Sequence, residues 1–344
     1  MASLLEQEIT SQPDTIARLL DQETARIKQI VAQLPHFDYA MIAARGTSDH
    51  AAIYAQYVWA TIAGRPVALA APSLYTLYNQ PPRMNNALVV GVSQSGQGPD
   101  IVAVLEEGKR QGRPTLAITN DGSSPLAAVA DHVVELHAGP EKSVAATKTY
   151  TAQLTVMALL AAAWSRNAAY EQALQRLPDA LEATLRATTL FASRVERYRF
   201  MNQCIVVGRG YHLPTALEMA LKLKELTYIM ADAYSSADFR HGPIATVSEG
   251  MPVVLVMPQG ATFADMQDLA EDLHDRGAEL LVVTDAPEAH ARATTVLPMA
   301  GDLPEWLSPM TAIVPGQVLA MRLTAAKGFD LDQPRGLHKV TRTL

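Results

Sequence analysis

Two stretches far apart in the chain repeat one another. Glu106 to Asn120 (EEGKRQGRPTLAITN) and Glu271 to Asp285 (EDLHDRGAELLVVTD) each run from a helix end, through a Gly, into an apolar strand closing on Thr-Asn or Thr-Asp. At the same offset Val89-Val90 aligns with Val254-Leu255 and Gln94 with Gln259. The opening strands match too, since Ala40-Met-Ile-Ala-Ala-Arg-Gly46 parallels Cys204-Ile-Val-Val-Gly-Arg-Gly210. The period is far above the ~50 residues of a solenoid unit, so a whole domain is duplicated. Short β-type runs alternate with helical segments in both halves, the pattern of an α/β fold with a parallel sheet. Strands are expected near 38–44, 67–71, 87–92, 114–119 and 132–136, then near 203–207, 252–257, 279–284 and 294–298. A length of 344 residues suits two such domains of about 150 residues each. Residues 1–35 read as helical packing material ahead of the first strand, and 166–200 as connecting helices with no Pro/Gly/Ser linker.

Hydrophobic residues at 49% and charged residues at 18% place the chain among folded rather than disordered proteins. A net charge of −7 argues against nucleic-acid partners and anionic membranes, which call for a basic face. The longest apolar stretch, Val156 to Trp164, is too short to span a bilayer and is expected to be a buried helix. The single Cys204 lies in the apolar run Cys-Ile-Val-Val and reads as a small buried hydrophobe without a disulfide partner. The opening Met-Ala-Ser-Leu-Leu-Glu lacks a basic n-region, so no signal peptide and a cytoplasmic location are expected. The histidines are scattered, no metal-ligand spacing occurs and no Gly-x-Gly-x-x-Gly is present. Neither a metal nor another cofactor is therefore expected.

The chemistry begins at Ser93-Gln94-Ser95-Gly96, directly after the apolar run Ala87 to Val92 and before a helical segment, Ile101 to Gly112. A strand, a small hydroxyl-rich turn and a helix N-terminus make an anion site, because free N–H groups and the helix dipole face the ligand. The loop holds no Lys or Arg and is not a P-loop. It suits a phosphate monoester on a small molecule. A second turn, Gly46-Thr47-Ser48, follows the strand ending at Ala44. Ligands of open parallel sheets sit beyond the carboxyl ends of the strands, so the two turns are expected to grip one phosphate from two sides. The second copy has Met257-Pro258-Gln259-Gly260 in place of the serines, and one phosphate site per chain is expected.

On the helix expected from Pro214 to Thr227, Glu218, Lys222 and Glu225 share one face while Lys224 points elsewhere. Such faces are commonly solvated ion-pair ladders, worth only ~0.3–0.5 kcal/mol per pair. Here the helix follows Gly208-Arg-Gly210, so its N-terminal half is expected to border a cleft. A carboxylate there beside an ammonium can serve as general base for a proton on carbon. Arg240-His241-Gly242-Pro243 offers a proton shuttle on a fixed turn. The tail from Asp332 carries Pro334, Leu337 and Val340, the last two expected to dock it, and Lys339 is an amine suited to attack a carbonyl.

Together these segments resemble the sugar isomerase (SIS) domain family, and within it the isomerase half of glucosamine-6-phosphate synthase and the free-standing glucosamine-6-phosphate deaminases. The resemblance runs through Glu8 to Pro13, Gly46 to Ser48, Ser93 to Gly96, Ser143-Val-Ala-Ala-Thr-Lys148, Ala216 to Glu225, His241 to Pro243 and Asp332 to Arg335. It implies two tandem flavodoxin-like domains, at 36–168 and 195–330, after an N-terminal helical segment (1–35) and before a tail (331–344). It further implies that Gly46, Thr47, Ser48, Ser93, Gln94 and Ser95 hold the 6-phosphate of a hexose, with backbone contacts from Val144 and Ala145. Glu225 matches the base that moves a proton between C1 and C2, with Lys222 and Glu218 as its polar supports. His241 matches a ring-opening residue that reaches in from the partner subunit of a homodimer, and Lys339 one that forms an imine with the open-chain ketose. Gly98 and Ala146 stand where the synthase pattern has a threonine and a serine, which is nearer the deaminases. No glutaminase part with a cysteine nucleophile precedes the first strand, so ammonia from glutamine is not expected.

The expected activity is conversion of glucosamine 6-phosphate, or a close relative, to fructose 6-phosphate and ammonia. Two alternatives are compatible with the same residues: a deglycase acting on a phosphorylated fructosamine, or another phosphosugar isomerase or aminotransferase, and a non-catalytic sugar-phosphate sensor.

Overall fold

The computed structural model describes residues 2–339. The chain divides into two units that exchange segments. One contains residues 14–141, 148–175 and the tail from His338; the other contains residues up to Pro13, Lys142–Thr147 and Arg176–Leu337.

The first unit is built on a five-stranded parallel sheet of β1 (Tyr39–Ala43), β2 (Val67–Leu69), β3 (Ala87–Ser93), β4 (Thr115–Thr119) and β5 (His132–Glu135), in the order β2-β1-β3-β4-β5. β3 and β4 are central and buried almost throughout, which is why they read as unbroken apolar runs rather than alternating ones. The helix Pro99–Arg110 covers β3 through Val104 and Leu105. Gly108 lets it approach closely, since a Cβ there would stand 2.8 Å from a Val89 methyl. The Val156–Trp164 stretch lies within the helix Lys148–Ser165, which packs against Thr47–Ala63; Trp59 Nε1 donates to the Met157 carbonyl at 2.8 Å.

The second unit has β6 (Gln203–Gly208), β7 (Met230–Ser235), β8 (Pro252–Val256), β9 (Glu279–Thr284) and β10 (Thr295–Pro298), all parallel, in the order β10-β9-β8-β6-β7. Counted from its own first strand, this is the same winding as in the first sheet, so the duplication extends to topology. Both are the flavodoxin-like order. The sequence reading lacked β7. It is an edge strand carrying Asp232 and an exposed Met230, so it has no apolar run to announce it. Among the described residues no helix is long and apolar enough to cross a membrane.

Candidate active site

In the first sheet the strand order reverses between β1 and β3, and the two serine-bearing turns leave the carboxyl ends of those two strands. This is the crevice where such sheets bind ligands. Ser93 Oγ accepts from the Gly96 N–H at 3.1 Å and Ser95 Oγ from the Gln97 N–H at 3.3 Å, bonds that an incoming phosphate oxygen can replace. The Gln94 carbonyl is turned inward to accept from the Asn120 N–H at 3.1 Å. Gly96 has φ +61°, and a Cβ there would fall 2.1 Å from Ser124 Oγ, so the turn tolerates only glycine.

Gly46 and Thr47 open the helix Thr47–Ala63, with Gly46 at φ +52°. Ser48, in its first turn, is buried and its Oγ accepts from Gln153 Nε2 at 2.9 Å. That contact leaves the Ser48 hydroxyl proton free to donate. Gln153 was not anticipated; a lone amide in an apolar helix was its only trace. Beside Ser48, burial pushes the Asp49 carboxyl up, against the opposing pull of His50 and Arg45. Arg45 Nε bonds the buried Asp100 at 2.8 Å, tying the end of β1 to the helix after β3.

The second sheet repeats that tie but not the serine-bearing turn. Arg209 and Asp265, the counterparts of Arg45 and Asp100, approach to 3.9 Å. In the loop after β8, however, the chain's own carboxylates occupy the donors. Asp285 accepts from the Gln259 N–H at 2.8 Å and Glu305 from the Ala261 N–H at 2.9 Å. Asp265 also takes Arg240 Nη1 at 3.0 Å and, through its carbonyl, Nη2 at 2.9 Å. It thereby anchors the residue before His241. The His241 ring is exposed and makes no hydrogen bond to the described residues.

Glu218, Lys222 and Glu225 are not a solvated ladder. Lys222 is buried, 3.3 Å from Glu218 and 2.5 Å from Glu225, and the side chain of Glu218 has no exposure while that of Glu225 keeps 23%. Burial alone would lower the Lys222 pKa; the two carboxylates outweigh it and hold the ammonium above the ordinary lysine range. Glu225 stands in the last turn of the helix Leu213–Thr227. Val144 is half-buried and Ala145 buried, in the segment Lys142–Thr147 of this same unit.

Of the two apolar anchors expected for the tail, Leu337 does not bury, and polar ties hold the described part. Leu337 is 40% exposed, and Val340 lies outside the described residues. Asp332 caps the helix Leu4–Thr10, accepting from the Leu4 and Leu5 N–H groups at 3.0 Å each, and the Arg335 N–H donates to Tyr228 Oη at 2.7 Å. In the first unit, Lys339 Nζ donates to Glu141 Oε2 at 2.9 Å. No group of three or more His, Cys, Asp and Glu side chains comes together as metal ligands among the described residues.

The SIS domain family model matches residues 38–163 and 200–326. A glutamine–fructose-6-phosphate aminotransferase (isomerizing) of Thermococcus kodakarensis is 33% identical over 341 residues, which are 96% of this chain and 56% of the relative. The chain thus spans little more than half the length of the curated relatives it matches. Among solved structures, the C-terminal domain of glucosamine-fructose-6-phosphate aminotransferase from Francisella tularensis is 27% identical with a TM-score of 0.88, covering 97% of this chain and 99% of that one. A protein of Silicibacter pomeroyi provisionally described as a phosphosugar isomerase is 32% identical with a TM-score of 0.85, covering 96% and 100%. A glucosamine-6-phosphate deaminase of Thermotoga maritima, 20% identical with a TM-score of 0.82 over 99% of this chain and 100% of that one, shares the fold. The matched segments take in both sheets and the helices that wind between their strands: the chain belongs to the SIS domain family.

Proposed function

We propose that the protein is a phosphosugar isomerase acting on an amino sugar, which converts glucosamine 6-phosphate or a close relative to fructose 6-phosphate and ammonia. The phosphate is held by Ser48, Ser93, Gln94 and Ser95, with the Gly46-Thr47 backbone and contacts from Val144 and Ala145. His241 opens the ring, working on the substrate of a second copy in a homodimer; its exposed imidazole, with no hydrogen bond to the described residues, supports that role. Glu225 removes the C2 proton of the open-chain aldose and returns it at C1. The C2 amine becomes an imine, which water hydrolyses or Lys339 captures. A firmly held phosphate supplies remote binding energy for the proton transfer.

The observation that carries this reading is the buried Lys222 between two carboxylates, of which only Glu225 retains access to solvent. A solvated structural ladder has no reason to bury its cation. Incubation with glucosamine 6-phosphate should release ammonia and fructose 6-phosphate in equal amounts. Glu225→Gln should lower the rate by about 10²–10⁴-fold, the usual worth of a positioned acid–base group. Full activity in that variant would remove Glu225 as the base. Ligand-induced thermal stabilisation with no turnover of any sugar phosphate would make the protein a sensor.

A further inference from the structure

Glu141 has no assigned part in the reaction, yet its surroundings are unusual for a carboxylate that merely supports structure. It precedes the helix Lys148–Ser165 and its side chain is fully buried. Oε1 accepts from the Thr149 N–H at 3.2 Å and Oε2 from the Thr149 hydroxyl at 2.7 Å, so the carboxylate is locked in place. The same Oε2 takes Lys339 Nζ at 2.9 Å, and Lys339 is itself only 24% exposed. The neighbouring Lys148 ammonium is turned to the Pro140 carbonyl at 3.0 Å. A long, flexible side chain from the end of the chain is thus brought to a rigid, buried carboxylate. Capping of the helix calls on Glu141 alone; nothing in it requires an amine.

We propose that Glu141 is the proton acceptor and donor for imine formation at Lys339. This rests on the reading of Lys339 given above and adds the group that makes its amine reactive. An ammonium has no lone pair to attack with, so Lys339 must give up a proton before its nitrogen can form a bond to carbon. Glu141 takes one proton from Lys339, leaving a carboxylic acid and a neutral amine. The nitrogen lone pair forms a bond to the C2 carbonyl carbon, the π pair moves to oxygen, and a proton passes from nitrogen to that oxygen to give the carbinolamine. Glu141 then returns its proton to the C2 hydroxyl, the C–O bond breaks, water leaves and the nitrogen lone pair closes the C=N bond. Ammonium and ketone have become iminium and water, and Glu141 is again a carboxylate.

The rival role is a clamp that stores Lys339 as ammonium, and it predicts the opposite sign. Removing the negative charge from a clamp frees the amine and speeds imine formation. Removing it from a proton relay slows the reaction. Full-length wild type, Glu141→Gln, Glu141→Asp and Lys339→Ala would each be mixed with fructose 6-phosphate and borohydride at neutral pH. The rate of the covalent sugar adduct on Lys339 would be followed by peptide mass, with folding checked by circular dichroism.

The relay predicts adduct in wild type, none in Lys339→Ala, and trapping in Glu141→Gln slower by about 10²-fold or more. Glu141→Asp, which keeps the carboxylate should the amide variant not fold, should fall between. Trapping in Glu141→Gln as fast as in wild type, or faster, overturns the relay while leaving Lys339 as the imine residue. If Glu141→Gln does not fold, Glu141→Asp at or above the wild-type rate overturns it in the same way. Absence of a Lys339 adduct in the wild type overturns the reading of Lys339 and the relay with it.

Discussion

Replacing Lys222 by Met tests the buried triad directly. The substitution leaves an unbranched apolar side chain one atom shorter and removes the charge that faces Glu218 at 3.3 Å and Glu225 at 2.5 Å. Glu225 is 23% exposed and can be rehydrated; the Glu218 side chain has no exposure and cannot. The cost therefore falls mainly on Glu218, and breaking a buried pair from one side costs about 3–5 kcal/mol. For a folding unit of 150–250 residues each kcal/mol moves the midpoint by roughly 2–4 °C, so the transition should fall by roughly 6–20 °C. Scanning calorimetry on wild type, Lys222→Met and Lys222→Met/Glu218→Leu would measure this. The double variant should recover most of the loss, because an apolar pair of similar volume needs no hydration. A single variant within 2 °C of wild type, a shift of no more than about 1 kcal/mol, would refute the argument that the cation is what makes the buried carboxylate tolerable. The sign of the pH effect follows from the same charges. The folded pKa of Lys222 is raised, so its contribution is fully present below ~10.4, the unfolded lysine value, and is lost only as pH rises through the higher folded value.

His212 should make the second unit acid-sensitive. It is completely buried, its Nε2 lies 2.8 Å from Ser308 Oγ, Nδ1 has no hydrogen-bond partner among the described residues, and burial pushes its pKa down to about 3. The unfolded chain binds the proton first, so stability is complete above about 6.5 and falls by about 1.4 kcal/mol per pH unit toward the folded value; urea titrations of wild type and His212→Asn between those limits would show a steeper loss in the wild type. Gly96→Ala puts a Cβ 2.1 Å from Ser124 Oγ at a φ of +61°. It should abolish protection of the protein by sugar phosphate in a thermal-shift assay, and an unchanged shift would mean the Ser93 turn is not the anchor.

Several elements could be read from residue order alone because their causes are local. β3 and β4 are buried and apolar on both faces, and the serine-bearing turns follow directly from the strands that aim them. The helical spacing of Glu218, Lys222 and Glu225 put them on one face before any packing was known. β7 escaped because an edge strand is not required to be apolar, although the repeat held its trace: Ala40 pairs with Val67 as Cys204 pairs with Ala231. The same comparison holds Arg45 with Asp100 and Arg209 with Asp265, ties visible only once the loops are folded together.

Chain order and residue type thus determined a duplicated, parallel α/β fold with a hydroxyl-lined turn in one copy. Tertiary structure decided which charges are buried. Burial depends on what packs over a residue, and those neighbours are distant in sequence: Gln153 under Ser48, Glu305 on the loop after β8, Glu141 against Lys339. It also decided which segments belong to which unit, since the helix Leu4–Thr10 is capped by Asp332 from the other end of the chain. A carboxylate's own sequence neighbourhood cannot say whether water or an ammonium will face it, and in this protein that difference separates a surface ion pair from the buried cluster of Glu218, Lys222 and Glu225.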